Sequence, residues 1–487
     1  MIKETSEMTN SSEVIKSVFW KAGERILVQG LGIIIQVVLA RILLPEDFAS
    51  LAIINAIISY LGLFVQSGLS VAIVQKKELS DKDISTLAVI SLLVALILFI
   101  CLYILAPYIS NYYNVGDLTW PIRVMGISLF LFSFNSIQSG ILTRRMKFRT
   151  IFLRSLLATP LSGLVGITMA YMGYGIWALV SYSITNILSI VIFMNMIPYL
   201  RIKWGFSWQS AKELYSFSLK ILGTNLISAG GDTIRTMTIG KVYTPSQLAF
   251  YDRAYSYSSL VTQVVNTSLS SVLLPVFSRT QDDIRSLKEM ARKSVRLSSF
   301  VMIPILVIVA ITAKPLVLIV LSEKWLPCAP FLSLFCILRI PSFVTSLDKQ
   351  VYYALGKSQI GLYYEVFLLA INLVSLVLMI PLGVFYVAIG YTIVEFVGGF
   401  VLCLISKKIY GYTICNRLSD LYKPLISCLI MTIVTELVLL FNCNAWITLL
   451  SQLIIGVFVY TIMSIMLKDD SFYYVVNTTK QRFRYSK

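Results

Sequence analysis

Residues 84–105 read ISTLAVISLLVALILFICLYIL, a run without one charged side chain. A helix needs about 20 consecutive apolar residues to cross the hydrocarbon core of a bilayer, and this stretch supplies them. Ser80-Asp81-Lys82-Asp83 stands directly before it. Those are residue types that open a helix and meet its positive end. Asp81-Lys82-Asp83 also has the Asp-x-Asp spacing with which glycosyltransferases hold a metal and a nucleotide-sugar. Its place at the head of an apolar run assigns it to the helix start instead.

Working outward, thirteen further runs of the same kind lie between charged or Pro/Gly breaks. The fourteen expected spans cover 18–40, 48–74, 84–105, 122–143, 151–172, 176–197, 214–240, 255–276, 297–313, 329–354, 361–380, 386–405, 425–441 and 446–467. The composition agrees: 57% hydrophobic and 13% charged, against about 25% charged in a soluble domain. The polar residues Met1 to Glu13 precede a first apolar run that is too long and too charged for a cleavable signal peptide. An all-α polytopic membrane protein is expected.

Charge sets the expected orientation. The net charge of +17 reads as the positive-inside bias of a membrane protein, not as a nucleic-acid surface. With an internal N-terminus, all but eight of the 41 Lys and Arg fall on the cytoplasmic side, so both termini are expected there. No external connection has the length of a catalytic domain. The chain has no histidine, which removes Ser-His-Asp triads and nearly every zinc site. The seven cysteines are scattered and read as core thiols. Gly356-Lys357-Ser358 resembles the end of a P-loop, but Val351 stands where its first glycine is required. Neither cofactor nor metal is expected.

Shifting the chain by 200 residues pairs Arg41 with Lys241, Pro45 with Pro245, Ala49 with Ala249 and Leu69 with Leu269. Asn55, Ser59, Gln66 and Ser70 then lie opposite Tyr255, Ser259, Asn266 and Ser270, each set on one helical face. At a shift of 210, Gly173 and Ala178 meet Gly383 and Ala388. The expected organisation is two pseudo-symmetric six-helix lobes, 1–205 and 206–411, followed by two extra helices and a cytoplasmic tail in 412–487. Parallel repeats of this kind place a binding cavity between the lobes, near the midplane.

Charged and amide side chains inside apolar helices are the candidate site residues, because they are expensive in lipid and mark cavities or partners. Lys21, Arg25, Gln29 and Gln36 form one stripe on span one, with Glu24 beside it. Lys21 and Arg25 either line a lumen or snorkel to the cytoplasmic interface. On span seven Asn225, Ser228, Asp232 and Arg235 follow one face, interrupted by Gly230-Gly231, where a kink or unwinding is expected. Asp232 and Arg235 either serve a site or simply neutralise each other. Arg339, Asp348, Glu365, Glu395 and Glu436 are single intramembrane charges. Asn55, Gln66, Asn225 and Asn266 complete the polar lining, and Asp232, Glu365 and Glu395 with Glu24 are candidates for coupling or charge pairing.

Several landmarks carry a resemblance. Leu39 to Phe48 (LARILLPEDF), Gln75 to Leu79 with Asp83 to Thr86, and Gly173 to Leu179 (GYGIWAL) resemble bacterial polysaccharide flippases of the Wzx type. Ile239-Gly240-Lys241, Pro275 to Arg279 and Ala354 to Lys357 fit the later landmarks. The branch most similar exports lipopolysaccharide, exopolysaccharide or teichuronic acid, within the multidrug/oligosaccharidyl-lipid/polysaccharide exporter superfamily. The resemblance implies alternating access and a substrate that is an oligosaccharide on undecaprenyl diphosphate, moved from the cytoplasmic to the periplasmic leaflet of the bacterial inner membrane. It implies no covalent catalysis, and other polysaccharide assembly proteins as possible partners. Arg25 and Arg235, with Lys21 and Arg339, would then meet the diphosphate. Two alternatives stay open: a drug/cation antiporter of the same superfamily, and a membrane-bound polysaccharide polymerase or ligase.

Overall fold

The computed structural model describes residues 11–485, apart from positions 67–68, 71–72, 74–75, 77–78, 116–117, 201, 203–204, 281–282 and 442. Side chains are not described for 11–26, 199, 213–218, 220–221, 264–272, 274–276, 279, 358 and 478–485. Among the described residues the chain is helical throughout, with no strand. Among the described residues, eleven helical stretches are long and apolar enough to cross a membrane. The protein is a multi-pass membrane protein.

The first unit contains α1 (Ser11–Ile42), α2 (Pro45–Gln66), α3 (Asp81–Tyr113), α4 (Thr119–Gly126), α5 (Ser128–Arg144), α6 (Phe148–Tyr171), α7 (Ile176–Asn195) and α8 (Trp208–Val242). Then come α9 (Pro245–Arg279), α10 (Ile284–Ile311), α11 (Ala313–Val320), α12 (Ala329–Ala354), α13 (Ser358–Met379), α14 (Val384–Tyr410), α15 (Ile414–Glu436), α16 (Ala445–Met466) and α17 (Asp470–Tyr485). Expected spans 18–40, 214–240 and 255–276 correspond to α1, α8 and α9, which are not among the eleven; in α1 the described apolar stretch is the shorter Leu27–Ile42.

Local chemistry explains where the helices begin. Ser80 caps α3: its hydroxyl accepts from the Asp83 amide at 3.1 Å, and the Asp83 carboxylate accepts from the Ser80 amide at 2.9 Å. This reciprocal pair satisfies two of the donors a helix start leaves open. Lys76 adds an ion pair to Asp83 at 3.1 Å. The expected span 122–143 is broken at Ile127 into α4 and α5. There Ser128 turns its hydroxyl back onto the Met125 carbonyl at 2.6 Å, and Phe99 of α3 crowds the Cα of Gly126.

The repeat reappears as hydrogen bonds. The Leu43 amide donates to the Leu39 carbonyl at 2.9 Å, and 200 positions on Tyr243 donates to Ile239 at 3.0 Å. The Leu44 amide is capped by Asp47 at 3.1 Å, and the Thr244 amide by Gln247 at 3.2 Å. With a shift of 210, the α5–α6 turn matches the α12–α13 turn. Lys147 donates to Leu142 at 2.9 Å where Lys357 donates to Tyr352 at 2.8 Å. The pivot residues are Met146 and Gly356, both with positive φ, 52° and 70°.

The chain divides into two compact units, Met1–Ala249 and Phe250–Lys487. In the first, α6 packs on α1 and α7, while α8 packs on α2 and α3. The division falls inside α9, whereas 205/206 lies in the connection ahead of α8. Gly166 lets α6 approach α7 closely, since a Cβ there would stand 2.8 Å from the Tyr182 Cβ. In lipid such close packing, with no hydrophobic drive between helices, is what holds them together. In the second unit α10 packs on α12 and α15, α14 on α12 and α13, and α16 on α15. Gly398 of α14 does there what Gly166 does in α6, admitting Leu368 and Tyr364 of α13.

Candidate functional site

In the first unit the polar residues lie on α1, α2 and α8. On α8, Arg235 donates from Nη2 to Asp232 Oδ1 at 2.5 Å. The two members are unequal: the arginine side chain is 6% exposed and the aspartate 47%. The guanidinium is therefore the sequestered partner, and the carboxylate the more exposed one. The helix runs unbroken from Trp208 to Val242, so Gly230-Gly231 causes no unwinding. Each glycine costs about 1 kcal/mol against alanine in a helix, a penalty that packing on α2 and α3 offsets. Near Gly230 stands the hydroxyl of Tyr60, from α2, 3.9 Å from where a Cβ would be.

Gln29 and Gln36 on α1, Asn55 and Gln66 on α2 and Asn225 on α8 are all half-buried. Ser136 of α5 donates to the Gln66 carbonyl at 3.2 Å. Lys21, Glu24 and Arg25 belong to the early turns of α1, and Asn266 to α9, but their side chains lie outside the described residues.

One arginine that the sequence reading did not single out lies among polar partners. Arg154 of α6 donates to Asn135 Oδ1 at 3.1 Å and to Ser139 Oγ at 3.2 Å, both on α5, and reaches the Met194 sulfur of α7. Beside it Gln138 donates to Asn195 at 2.9 Å. The sequence signal was the polar face Asn135, Gln138, Ser139 on span four at helical spacing.

In the second unit Arg339 of α12 lies 4.6 Å over the ring of Tyr255 on α9, a cation–π contact. The Tyr255 hydroxyl is 3.4 Å from that of Tyr391 on α14, and its ring meets Phe335 edge-on. Glu395, one turn beyond Tyr391, is buried at 8% exposure. Glu365 of α13 pairs with Lys349 of α12, whose ammonium also lies 5.0 Å from the Tyr364 ring. Arg339, Glu365 and Glu395 thus share one helix group. Glu436 is exposed at the end of α15.

Asp348 belongs to a different arrangement. It accepts from Arg417 at 2.9 Å and from Tyr410 at 2.8 Å while only 1% exposed. A carboxylate so enclosed braces α12 against α14 and α15. Asp420 of α15 is a second such hub, which the sequence reading missed. Arg292 forks onto it with two bonds of 2.8 Å, Arg296 approaches it at 2.8 Å, and Tyr412 donates at 3.0 Å. Burial, and then the charge of Asp420, push the Tyr412 phenol well above its ordinary range, so it stays a neutral donor.

Such internal charges, carried on apolar helices, are costly in lipid and are here braced in pairs. The family profile described as polysaccharide biosynthesis protein matches residues 38–330. The chain belongs to that polysaccharide biosynthesis family. Among its relatives is the succinoglycan biosynthesis transport protein ExoT of Rhizobium meliloti strain 1021, 22% identical over 67% of this chain and 66% of that one. The chain thus spans just under two thirds of ExoT. The lipopolysaccharide biosynthesis protein WzxC of Escherichia coli K12 is 21% identical over 83% of this chain and 81% of its own. The expected Wzx-type resemblance is thereby met. Among solved structures, the lipid II flippase MurJ in an inward closed conformation superposes with a TM-score of 0.77 at 19% identity. It covers 93% of this chain and 99% of MurJ, a likeness of fold.

Proposed function

We propose that this member of the polysaccharide biosynthesis family is a flippase for undecaprenyl-diphosphate-linked oligosaccharides. It turns the repeat unit from the cytoplasmic to the periplasmic leaflet of the bacterial inner membrane by alternating access, for assembly of a surface polysaccharide. Fourteen spans, both termini cytoplasmic, and lobes 1–205 and 206–411 with spans thirteen and fourteen in 412–487 complete the proposal. It makes and breaks no covalent bond.

The observation that carries this reading is the buried Arg235 held by the half-exposed Asp232, in a chain whose relative ExoT is named a transport protein. An arginine fork matches phosphate oxygens through two parallel bonds. A diphosphate reaching Asp232 competes for Arg235, and that competition keeps binding weak enough for release. Arg25 is proposed to serve the same headgroup, with Lys21 and Arg339 as further cations. Gln29, Gln36, Asn55, Gln66, Asn225 and Asn266 line the path, and Glu24, Asp232, Glu365 and Glu395 balance its charge.

The test is reconstitution. Vesicles holding the purified protein should exchange a labelled lipid-linked oligosaccharide between leaflets with its mass unchanged. Exchange no faster than in empty vesicles would defeat the reading, and a mass change that requires this chain would point to a polymerase or ligase instead.

A further inference from the structure

A cavity of about 470 Å³ opens between α10 and α17, lined by Glu289, Arg292, Lys293, Arg296, Leu297, Asp470, Ser471 and Tyr474. Nothing in the flipping reading uses it. Its wall is built firmly. Arg292 and Arg296 are both held by Asp420, which is 1% exposed. Lys293 lies 4.7 Å over the ring of Tyr474. The start of α17 is fastened through Phe472 against Phe300, and through Lys423, which donates to the Lys468 carbonyl at 2.8 Å.

Two further observations point to a ligand. The lining carries three cations, Arg292, Lys293 and Arg296, against Glu289 and Asp470, and α10 carries Arg285 and Lys288 in the turns before them. In addition, α17 follows the last apolar helix and exposes Tyr473, Tyr474 and Val475 beside the cavity. Aromatic residues so placed sit at the level of lipid headgroups, and a basic amphipathic helix lies in that plane.

We propose that this cavity is a binding site for the phosphate of an anionic phospholipid headgroup. Arg292 spends its fork on Asp420, so the Lys293 ammonium and the outer guanidinium nitrogens of Arg296 are the donors that meet the phosphate oxygens, and basic pockets at the membrane face are the recurrent hosts of such headgroups. Asp420 holds Arg292 and Arg296 at 2.8 Å, so less side-chain freedom is lost when a headgroup arrives. Glu289 and Asp470 oppose the anion and limit its affinity.

The test uses the full chain in nanodiscs of phosphatidylcholine with added phosphatidylglycerol, with retained lipid counted by native mass spectrometry. Wild type should hold phosphatidylglycerol. Lys293→Gln with Arg296→Gln should hold it about tenfold more weakly, and Glu289→Gln should hold it several-fold more tightly. Arg292 is left in place, because its loss strands the buried Asp420; Lys293→Gln alone serves if the double variant folds poorly. Inorganic phosphate at matched concentration should not displace the lipid. Equal retention by wild type and both variants would overturn the site, and displacement by free phosphate would overturn its assignment to a lipid headgroup.

Discussion

Ser246 donates its hydroxyl to a carboxylate oxygen of Glu46, and the two residues hold the same place in two copies of one motif. Each is the second residue of a helix that starts with proline, Pro45 or Pro245, three residues after the preceding helix ends at Ile42 or Val242. The repeat thus meets itself at equivalent positions. On the flipping proposal, alternating access requires this joint to part.

A pair of cysteines tests that. Glu46→Cys with Ser246→Cys, in a background freed of the native cysteines, should cross-link under mild oxidation. Flipping in vesicles should stop and return when the bond is reduced. Undiminished flipping by the oxidised protein would mean that the joint stays closed through the cycle.

Arg235 should separate recognition from folding. Its fork is lost in Arg235→Lys while the charge remains, so membrane abundance should match wild type and flipping should fall by about tenfold or more. Asp232 is half exposed, but the Arg235 it holds is buried, so Asp232→Asn should cost about 1–3 kcal/mol through the guanidinium left with a neutral partner. Wild-type flipping by Arg235→Gln at matched protein levels would remove this arginine from the site.

Asp420 should behave in the opposite way. Asp420→Ala leaves two part-exposed arginines and the buried Tyr412 hydroxyl without the carboxylate on which they converge, a loss of about 1–3 kcal/mol. Its thermal transition in detergent should drop. Glu436→Ala, at an exposed helix end, should leave that transition within a degree or two of wild type.

The two matched turns give a backbone prediction. Met146 holds a φ of 52°, a conformation that costs a residue with a side chain about 1–2 kcal/mol. Its counterpart Gly356 holds 70° without that cost. Met146→Gly should stabilise the protein by up to about 1 kcal/mol, and Gly356→Ala should destabilise it by a similar amount. Identical denaturation midpoints for all three proteins would show that neither turn is strained.

Much of this protein is written in its sequence, for a reason particular to membranes. Lipid offers backbone groups no partner, so an apolar run long enough to cross must be a helix. Residues 84–105 accordingly lie inside α3, and Ser80 with Asp83 closes its first turn. The repeat was legible too, because turn chemistry is local: Pro45 and Pro245 restart helices at matching positions, and Gly383 keeps the positive φ that Gly173 has. Pairing was not legible. Asp348 meets Arg417 across 69 positions, and Asp420 meets Arg292 across 128. Periodicity says which face of a helix a charge occupies, but not which helix will lie against that face. Arg154 was not singled out, because its partners come from α5 and α7. Gly230-Gly231 looked like a break, yet α8 stays helical because its neighbours α2 and α3 outweigh a local preference of a few kcal/mol. Helix identity is thus a property of each segment in its solvent, whereas the state of a charge belongs to the pair of helices that enclose it.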